Sequence, residues 1–134
     1  MTSKRFRAAS IAVITMLSLV IIFHLLILSG IIPYSIAWGG RLKSTDDMIT
    51  FEAISIILNI LMIAIVAQHS GFLHFRINET ISRIGVWAMV LLFALNTVGN
   101  LLSVNETERI IFTPVTLILS VLCLVLALGK KTEV

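Results

Sequence analysis

The sequence predicts an all-α membrane protein, a left-handed, antiparallel bundle of four transmembrane helices. Of its 134 residues, 58% are hydrophobic and 13% are charged, whereas a soluble domain is about half apolar and about a quarter charged. A mean hydropathy of +1.07 leaves too little polar surface to cover a water-soluble globule. This composition excludes an ordinary soluble enzyme, a disordered chain and a nucleic-acid-binding domain. The length suits a single domain over residues 1–134.

Four apolar runs each approach the roughly 20 residues that a helix needs to cross about 30 Å of hydrocarbon. We expect these helices at about 8–29, 48–68, 84–104 and 106–128. Gly30 and Pro33 should end the first helix, since proline cannot continue the helical hydrogen bonds. Ser44 and Asn105 are the expected N-caps of the second and fourth helices. Pro114 should kink the fourth helix, because proline lacks the amide hydrogen that a helix interior requires.

The distribution of basic residues predicts that both chain termini lie in the cytoplasm. In this orientation seven basic residues lie on the cytoplasmic side, namely Lys4, Arg5, Arg7, Arg76, Arg83, Lys130 and Lys131. The outer segments carry three, namely Arg41, Lys43 and Arg109. We interpret the first run as a retained helix, because its apolar core exceeds the roughly 7–15 residues of a signal peptide.

Five polar residues lie within the apolar runs, namely His24, Glu52, Asn59, Asn96 and Asn100. In the predicted orientation all of them fall between the outer interface and the middle of the membrane. Polar groups in hydrocarbon are energetically unfavourable, so each is a candidate functional residue. Hydrogen bonding between packed helices is the alternative interpretation of the asparagines and of His24. A solvated or salt-bridged interfacial acid is the alternative for Glu52.

The spacing of these residues predicts inward-facing polar stripes. Glu52, Ser55 and Asn59 follow one another at i, i+3 and i+7, and Asn96 and Asn100 at i and i+4. The fourth helix carries a stripe of small side chains, namely Thr113, Thr116, Ser120 and Cys123. Small residues let membrane helices approach closely. We therefore expect these faces to point inward and the isoleucine and leucine faces to meet lipid.

The loop after the first helix is a candidate lid over the outer end of the bundle. Trp38 suits the headgroup region, and Gly39-Gly40 permits a sharp turn. Arg41 and Lys43 could then point back towards Glu52 or a phosphate. We expect an interfacial or re-entrant loop; a plain interfacial loop is the alternative. Glu52 has three candidate partners, namely His24, Arg41 and Lys43.

Several chemistries are not predicted. Cys123 is the single cysteine, so an intramolecular disulfide or a thiolate zinc site within one chain is impossible. The spacing of His69 and His74 is only a weak metal signal, and no cofactor is indicated. The sequence contains no nucleophile–base pair, phosphate-binding loop or HExxH motif. No catalytic residue is therefore expected, and an acid–base couple of His24 with Glu52 is the only enzymatic alternative.

The segment from Ile32 to Glu52 carries the elements Ile-Pro-Tyr, Trp-Gly-Gly-Arg-Leu-Lys and Phe-Glu. In these elements it resembles small uncharacterised four-helix integral membrane proteins of bacteria, with a looser similarity at residues 95–100. The resemblance implies a multi-pass topology in the cytoplasmic (inner) membrane and the importance of these segments. It implies no activity.

Three functional hypotheses follow. The first is binding of a small polar or amphipathic ligand, such as a lipid headgroup, a quinone or a hydrophobic cation, by the outer polar cluster and its lid. That site comprises His24, Trp38, Arg41, Lys43, Glu52, Asn59, Asn96 and Asn100. The second is a small oligomeric transporter or channel. The third is an accessory subunit without chemistry, so the expected partners are membrane lipid, further copies of the chain or a larger membrane protein.

Overall fold

The computed structural model describes residues 3–34, 44–74 and 78–129. These residues form four α-helices, namely α1 (Ser3–Leu28), α2 (Thr45–His69), α3 (Glu79–Leu101) and α4 (Thr113–Leu128). A π-helical segment, Glu108–Phe112, directly precedes α4. With that segment counted together with α4, all four helices are long and apolar enough to cross a membrane. The predicted all-α fold with four helices long and apolar enough to span a membrane is confirmed.

The helix ends follow local sequence signals. The Ser44 hydroxyl accepts a hydrogen bond from the Asp47 amide at 3.1 Å, and the Asn105 side chain accepts one from the Glu108 amide at 3.2 Å. Both predicted N-caps are thus confirmed. Gly30 follows α1 with a φ of 86°, a left-handed conformation that glycine adopts without a steric penalty.

The observed helices differ from the expected ones mainly at their starts. α1 begins at Ser3 and α3 at Glu79, five residues earlier than expected in each case. A window that counts only apolar residues misses polar first turns, such as the one that Asn78 caps by accepting the Thr80 amide at 2.8 Å. These turns extend the helices beyond their apolar cores.

Pro114 is accommodated by a change of helix type. The chain is helical from Glu106, widens into the π-helical segment and returns to α-helix at Thr113. An α-helical Pro114 would leave the Ile110 carbonyl without a donor and crowd it with the proline ring. Wider π-helical turns are a known way to absorb such a mismatch within a membrane helix.

The helices pack as two closely associated pairs, which we call the first seam (α1 with α2) and the second seam (α3 with α4). Weaker contacts of α1 with α4 and of α2 with α3 join the seams. The shared core is apolar and includes Val13, Leu17, Val66, Val86 and Cys123, each at most 1% exposed. The outward faces carry exposed isoleucine and leucine, as expected of surfaces in contact with lipid.

Candidate functional site

The first seam buries an acid against a histidine. Glu52 lies two turns into α2 and its side chain is 0% exposed, while the His24 side chain near the end of α1 is 14% exposed. The Nδ1 atom of His24 forms a hydrogen bond with Oε2 of Glu52. Of the three candidate partners of Glu52, the structure thus pairs the histidine with it.

Aromatic packing encloses this pair on the α1 side. The ring of Phe23 lies 5.8 Å from the His24 ring and 4.9 Å from the Phe112 ring, in edge-on geometry in both cases. Phe112 ends the π-helical segment. The position of the Glu52 partner is therefore coupled to the irregular part of the fourth span.

The pairing explains how a carboxylate can be buried here. An isolated ionised acid in an apolar interior carries a desolvation penalty of several kcal/mol. The hydrogen bond with His24 replaces one that the acid would make with water, which offsets part of that penalty. The arrangement can bind a cation or a hydrogen-bond donor.

Asn59 lies two turns further along the Glu52 face of α2 and is 6% exposed. Its Nδ2 atom donates to the Ser55 carbonyl at 2.7 Å. Its Oδ1 atom is buried and has no hydrogen-bond partner among the described residues. Buried polar atoms are usually satisfied, so this oxygen is a free acceptor on the polar face of α2.

Asn100 belongs to a different polar cluster, in the second seam. Its Nδ2 atom donates to the Thr116 hydroxyl at 3.2 Å, and the Thr97 hydroxyl lies 3.0 Å from the same oxygen. Thr116 in turn donates to the Phe112 carbonyl at 2.8 Å. These contacts join α3 to α4, as interhelical hydrogen bonds in membranes commonly do.

Asn96 does not face the interior, and the expectation that it does is wrong. Its side chain is exposed, because α3 packs through a different set of residues, namely Ser82, Val86, Met89, Phe93, Thr97 and Asn100. Successive helical residues are turned by about 100°. Asn96 therefore points away from the seam that its neighbour Thr97 enters.

The predicted lid residues Trp38, Arg41 and Lys43 lie outside the described residues. Of the remaining predicted site residues, the structure brings His24 and Glu52 into contact and places Asn59 on the same helix face as Glu52. Asn100 is buried in the second seam.

Sequence reasoning missed a polar contact zone at the opposite end of the first seam. The Ser70 hydroxyl donates to the Ser10 hydroxyl at 2.6 Å, and Nε2 of His69 lies 3.0 Å from the Leu126 carbonyl. His69 also lies against the Phe6 ring, 5.8 Å between centroids. His69 thus serves helix packing, and no group of three or more metal-binding side chains occurs within residues 3–34, 44–74 and 78–129.

Thr97 was also missed. The signal that could have found it is the spacing of the buried α3 residues, 4, 3, 4, 4 and 3, which places Thr97 and not Asn96 in register with Val86 and Phe93.

Comparison with known proteins finds no match to this chain among family models, curated proteins or solved structures.

Proposed function

We propose that this chain is a small multi-pass membrane protein that binds a small polar or amphipathic ligand at the His24–Glu52 pair. The observation that carries the proposal is a fully buried carboxylate within an apolar helix, hydrogen-bonded to a histidine of the neighbouring helix. Intramembrane acids in proteins are typically associated with function. A purely structural contact could be made at lower energetic cost by apolar side chains.

The Oδ1 atom of Asn59 indicates which chemical class of ligand the site favours. The Asn59 oxygen, which has no described donor, and the Glu52 carboxyl group lie on one face of α2 and favour a ligand that carries hydrogen-bond donors or a positive charge. Among the candidate classes, this favours a hydrophobic cation or an ammonium-bearing lipid headgroup over a quinone. Trp38, Arg41 and Lys43 remain in the proposal as a lid on the side where α1 ends.

The proposal includes an antiparallel, left-handed bundle in the bacterial inner membrane with both termini cytoplasmic. Two contacts support opposite directions of α1 and α2, since His24 near the end of α1 meets Glu52 early in α2, and Ser10 meets Ser70. The excess of basic residues supports the orientation. In that orientation the His24–Glu52 pair lies in the outer half of the membrane.

The experiment measures thermal unfolding of the purified protein in lipid nanodiscs with three probes: tetraphenylphosphonium, a short-chain ubiquinone analogue and a phosphoethanolamine detergent. We expect tetraphenylphosphonium or phosphoethanolamine to raise the midpoint of the wild type, because ligand binding to the folded state stabilises it. Glu52→Gln should abolish the shift. Glu106→Gln is the matched control, since Glu106 is an acid whose side chain is 81% exposed.

Two results would contradict the proposal. One is the absence of a shift with any of the three probes in the wild type. The other is an equal loss of the shift in Glu52→Gln and Glu106→Gln, since this would indicate general charge attraction and not a buried site.

An oligomeric transporter or channel is the second candidate, and the exposed amide of Asn96 favours it. An amide on a lipid-facing surface gains hydrogen bonds if another copy covers it. Flux through proteoliposomes that is lost in both Glu52→Ala and Asn96→Ala would support a pathway shared between subunits. Flux that survives both substitutions would remove these residues from any pathway.

A further inference from the structure

An open groove lies between the start of α1 and the end of α4. Its volume is about 480 Å³, and it is lined by Arg5, Ala8, Ala9, Ala12, Leu122 and Val125. The groove exists because α1 carries alanine at these positions, whereas its following turns carry isoleucine, methionine and leucine. From Arg5 to His24 the helix rises by roughly 28 Å, so the groove is separate from the His24–Glu52 pair.

The lining of the groove is apolar except at one end. Ala9 is 6% exposed and belongs to the core, while Leu122 and Val125 are partly buried against that core. Among the described residues of the lining, Arg5 is the one that carries a charge. The groove therefore suits a ligand with a hydrocarbon part and one anionic end.

Three basic residues lie at this end of the groove. Lys4, Arg5 and Arg7 are all exposed, and no carboxylate in the described part of the chain forms an ion pair with them. They lie where the first span begins, at the level of lipid headgroups. Basic clusters at this depth attract anionic lipids, and a guanidinium can bind a phosphate through two parallel hydrogen bonds.

We propose that the groove binds one anionic phospholipid, with its phosphate on Arg5 and an acyl chain along the alanines of α1. A transmembrane helix of another protein fits less well. The lining extends from Arg5 to Ala12, roughly 10 Å along the helix axis, about a third of the hydrocarbon thickness. A spanning helix would extend well beyond this lining.

The experiment titrates the detergent-purified full chain with phosphatidylglycerol or with phosphatidylcholine of identical acyl chains, and counts bound lipids by native mass spectrometry. We expect one phosphatidylglycerol to bind more tightly than phosphatidylcholine. Arg5→Gln should weaken that binding about fivefold, as expected for the loss of one basic contact at a membrane surface. Lys4→Gln is the matched control, because Lys4 is an adjacent exposed cation outside the lining, and it should change the affinity less than twofold.

Filling the groove tests its shape separately from its charge. Ala12→Leu keeps every cation but occupies the groove, and it should remove the preference for phosphatidylglycerol. Ala8→Leu at an exposed position provides a second variant if Ala12→Leu lowers the thermal unfolding midpoint.

Three results would overturn the proposal. The first is equal binding of the two lipids, and the second is an equal loss in Lys4→Gln and Arg5→Gln with no effect of either leucine variant. The third is that a photocrosslinker at Ala8, activated in native membranes, crosslinks to a helix of another protein and not to lipid.

Discussion

The buried Glu52 carboxylate is hydrogen-bonded to His24, and the two side chains contribute unequally to stability. Loss of His24 removes a hydrogen bond from a fully buried acid, whereas loss of the acid leaves an imidazole that is 14% exposed. Removing one partner of a buried pair is strongly destabilising, but replacing both by apolar residues is often close to neutral. The pair is therefore best tested by a double-mutant cycle.

We expect His24→Leu to lower the free energy of unfolding by about 3 kcal/mol. Glu52→Leu should lower it by less, and His24→Leu/Glu52→Leu should recover most of the loss. Unfolding in mixed detergent–denaturant micelles, followed by circular dichroism, measures all three. As a control, Glu106→Gln breaks the exposed Glu106–Arg109 pair and should change stability by less than about 0.5 kcal/mol. Strictly additive effects of the two leucine substitutions would refute the coupling.

The two buried asparagines offer a second comparison. Asn100 bonds across the second seam to Thr116, whereas Asn59 bonds to the Ser55 carbonyl of its own helix and leaves Oδ1 without a described partner. Asn100→Leu should lower the free energy of unfolding by about 1 kcal/mol. Asn59→Leu should leave it unchanged or raise it, because an unsatisfied buried oxygen is removed. The same micelle unfolding assay decides, and a larger loss for Asn59→Leu would mean that its oxygen has a partner.

Single residues also show how far the sequence could predict the site. Because burying a charge is energetically unfavourable, the sequence indicated that Glu52 needs a partner, and His24 was one of three candidate partners. Choosing among them requires the registry of α1 against α2, which depends on side-chain packing along the whole seam. Asn96 and Asn100 share a helical stripe, yet α3 is rotated so that Thr97 and Asn100 enter the seam. The apolar residues decide this rotation, since they form most of the contact.

Helix α3 contains two glycines in different surroundings. Gly85 lies in the contact with α2, and Gly99 lies at the surface. A Cβ atom at Gly85 would lie 3.1 Å from Cγ2 and 3.2 Å from Cδ1 of Ile65 on α2, whereas at Gly99 it would meet no described atom within 4 Å. Both glycines lie inside the helix. The close approach at Gly85 therefore contributes to the contact that joins the two seams, and Gly99 makes no such contribution.

We expect Gly99→Ala to raise the free energy of unfolding by about 0.5–1 kcal/mol, because alanine loses less backbone entropy on helix formation. Gly85→Ala should raise it less or lower it, since Ile65 must move to accept the new methyl group. Thermal or denaturant unfolding of the two variants in one detergent provides the measurement. Equal gains would show that α2 and α3 do not approach closely at Gly85.

The helices could be predicted from the sequence more fully than the contacts between them. Apolar length identified all four helices, and Ser44, Asn105 and Gly30 marked ends that the structure confirms. The π-helical segment was not predicted in form, although Pro114 indicated an irregularity at that place. The missing amide hydrogen of Pro114 predicts that one helical hydrogen bond is lost. Whether the helix then kinks or widens depends on the packing around it, such as that of Phe112 against Phe23.

The orientation of the bundle in the membrane can be tested because Cys123 is 0% exposed and should not react with thiol reagents in the folded protein. Single cysteines can therefore be introduced at the exposed positions Lys4, Thr45, Glu79 and Glu106, one at the start of each helix, without labelling of Cys123.

With cytoplasmic termini and four crossings, a membrane-impermeant maleimide added to intact cells should label Thr45→Cys and Glu106→Cys. Lys4→Cys and Glu79→Cys should react only after the membrane is opened, because the proposed orientation places seven basic residues on their side, in the cytoplasm. The reverse pattern would place the His24–Glu52 pair in the cytoplasmic half of the membrane and Arg5 at the outer surface. Labelling of Lys4→Cys and Thr45→Cys from the same side would mean that α1 does not cross the membrane, which would contradict the four-span topology itself.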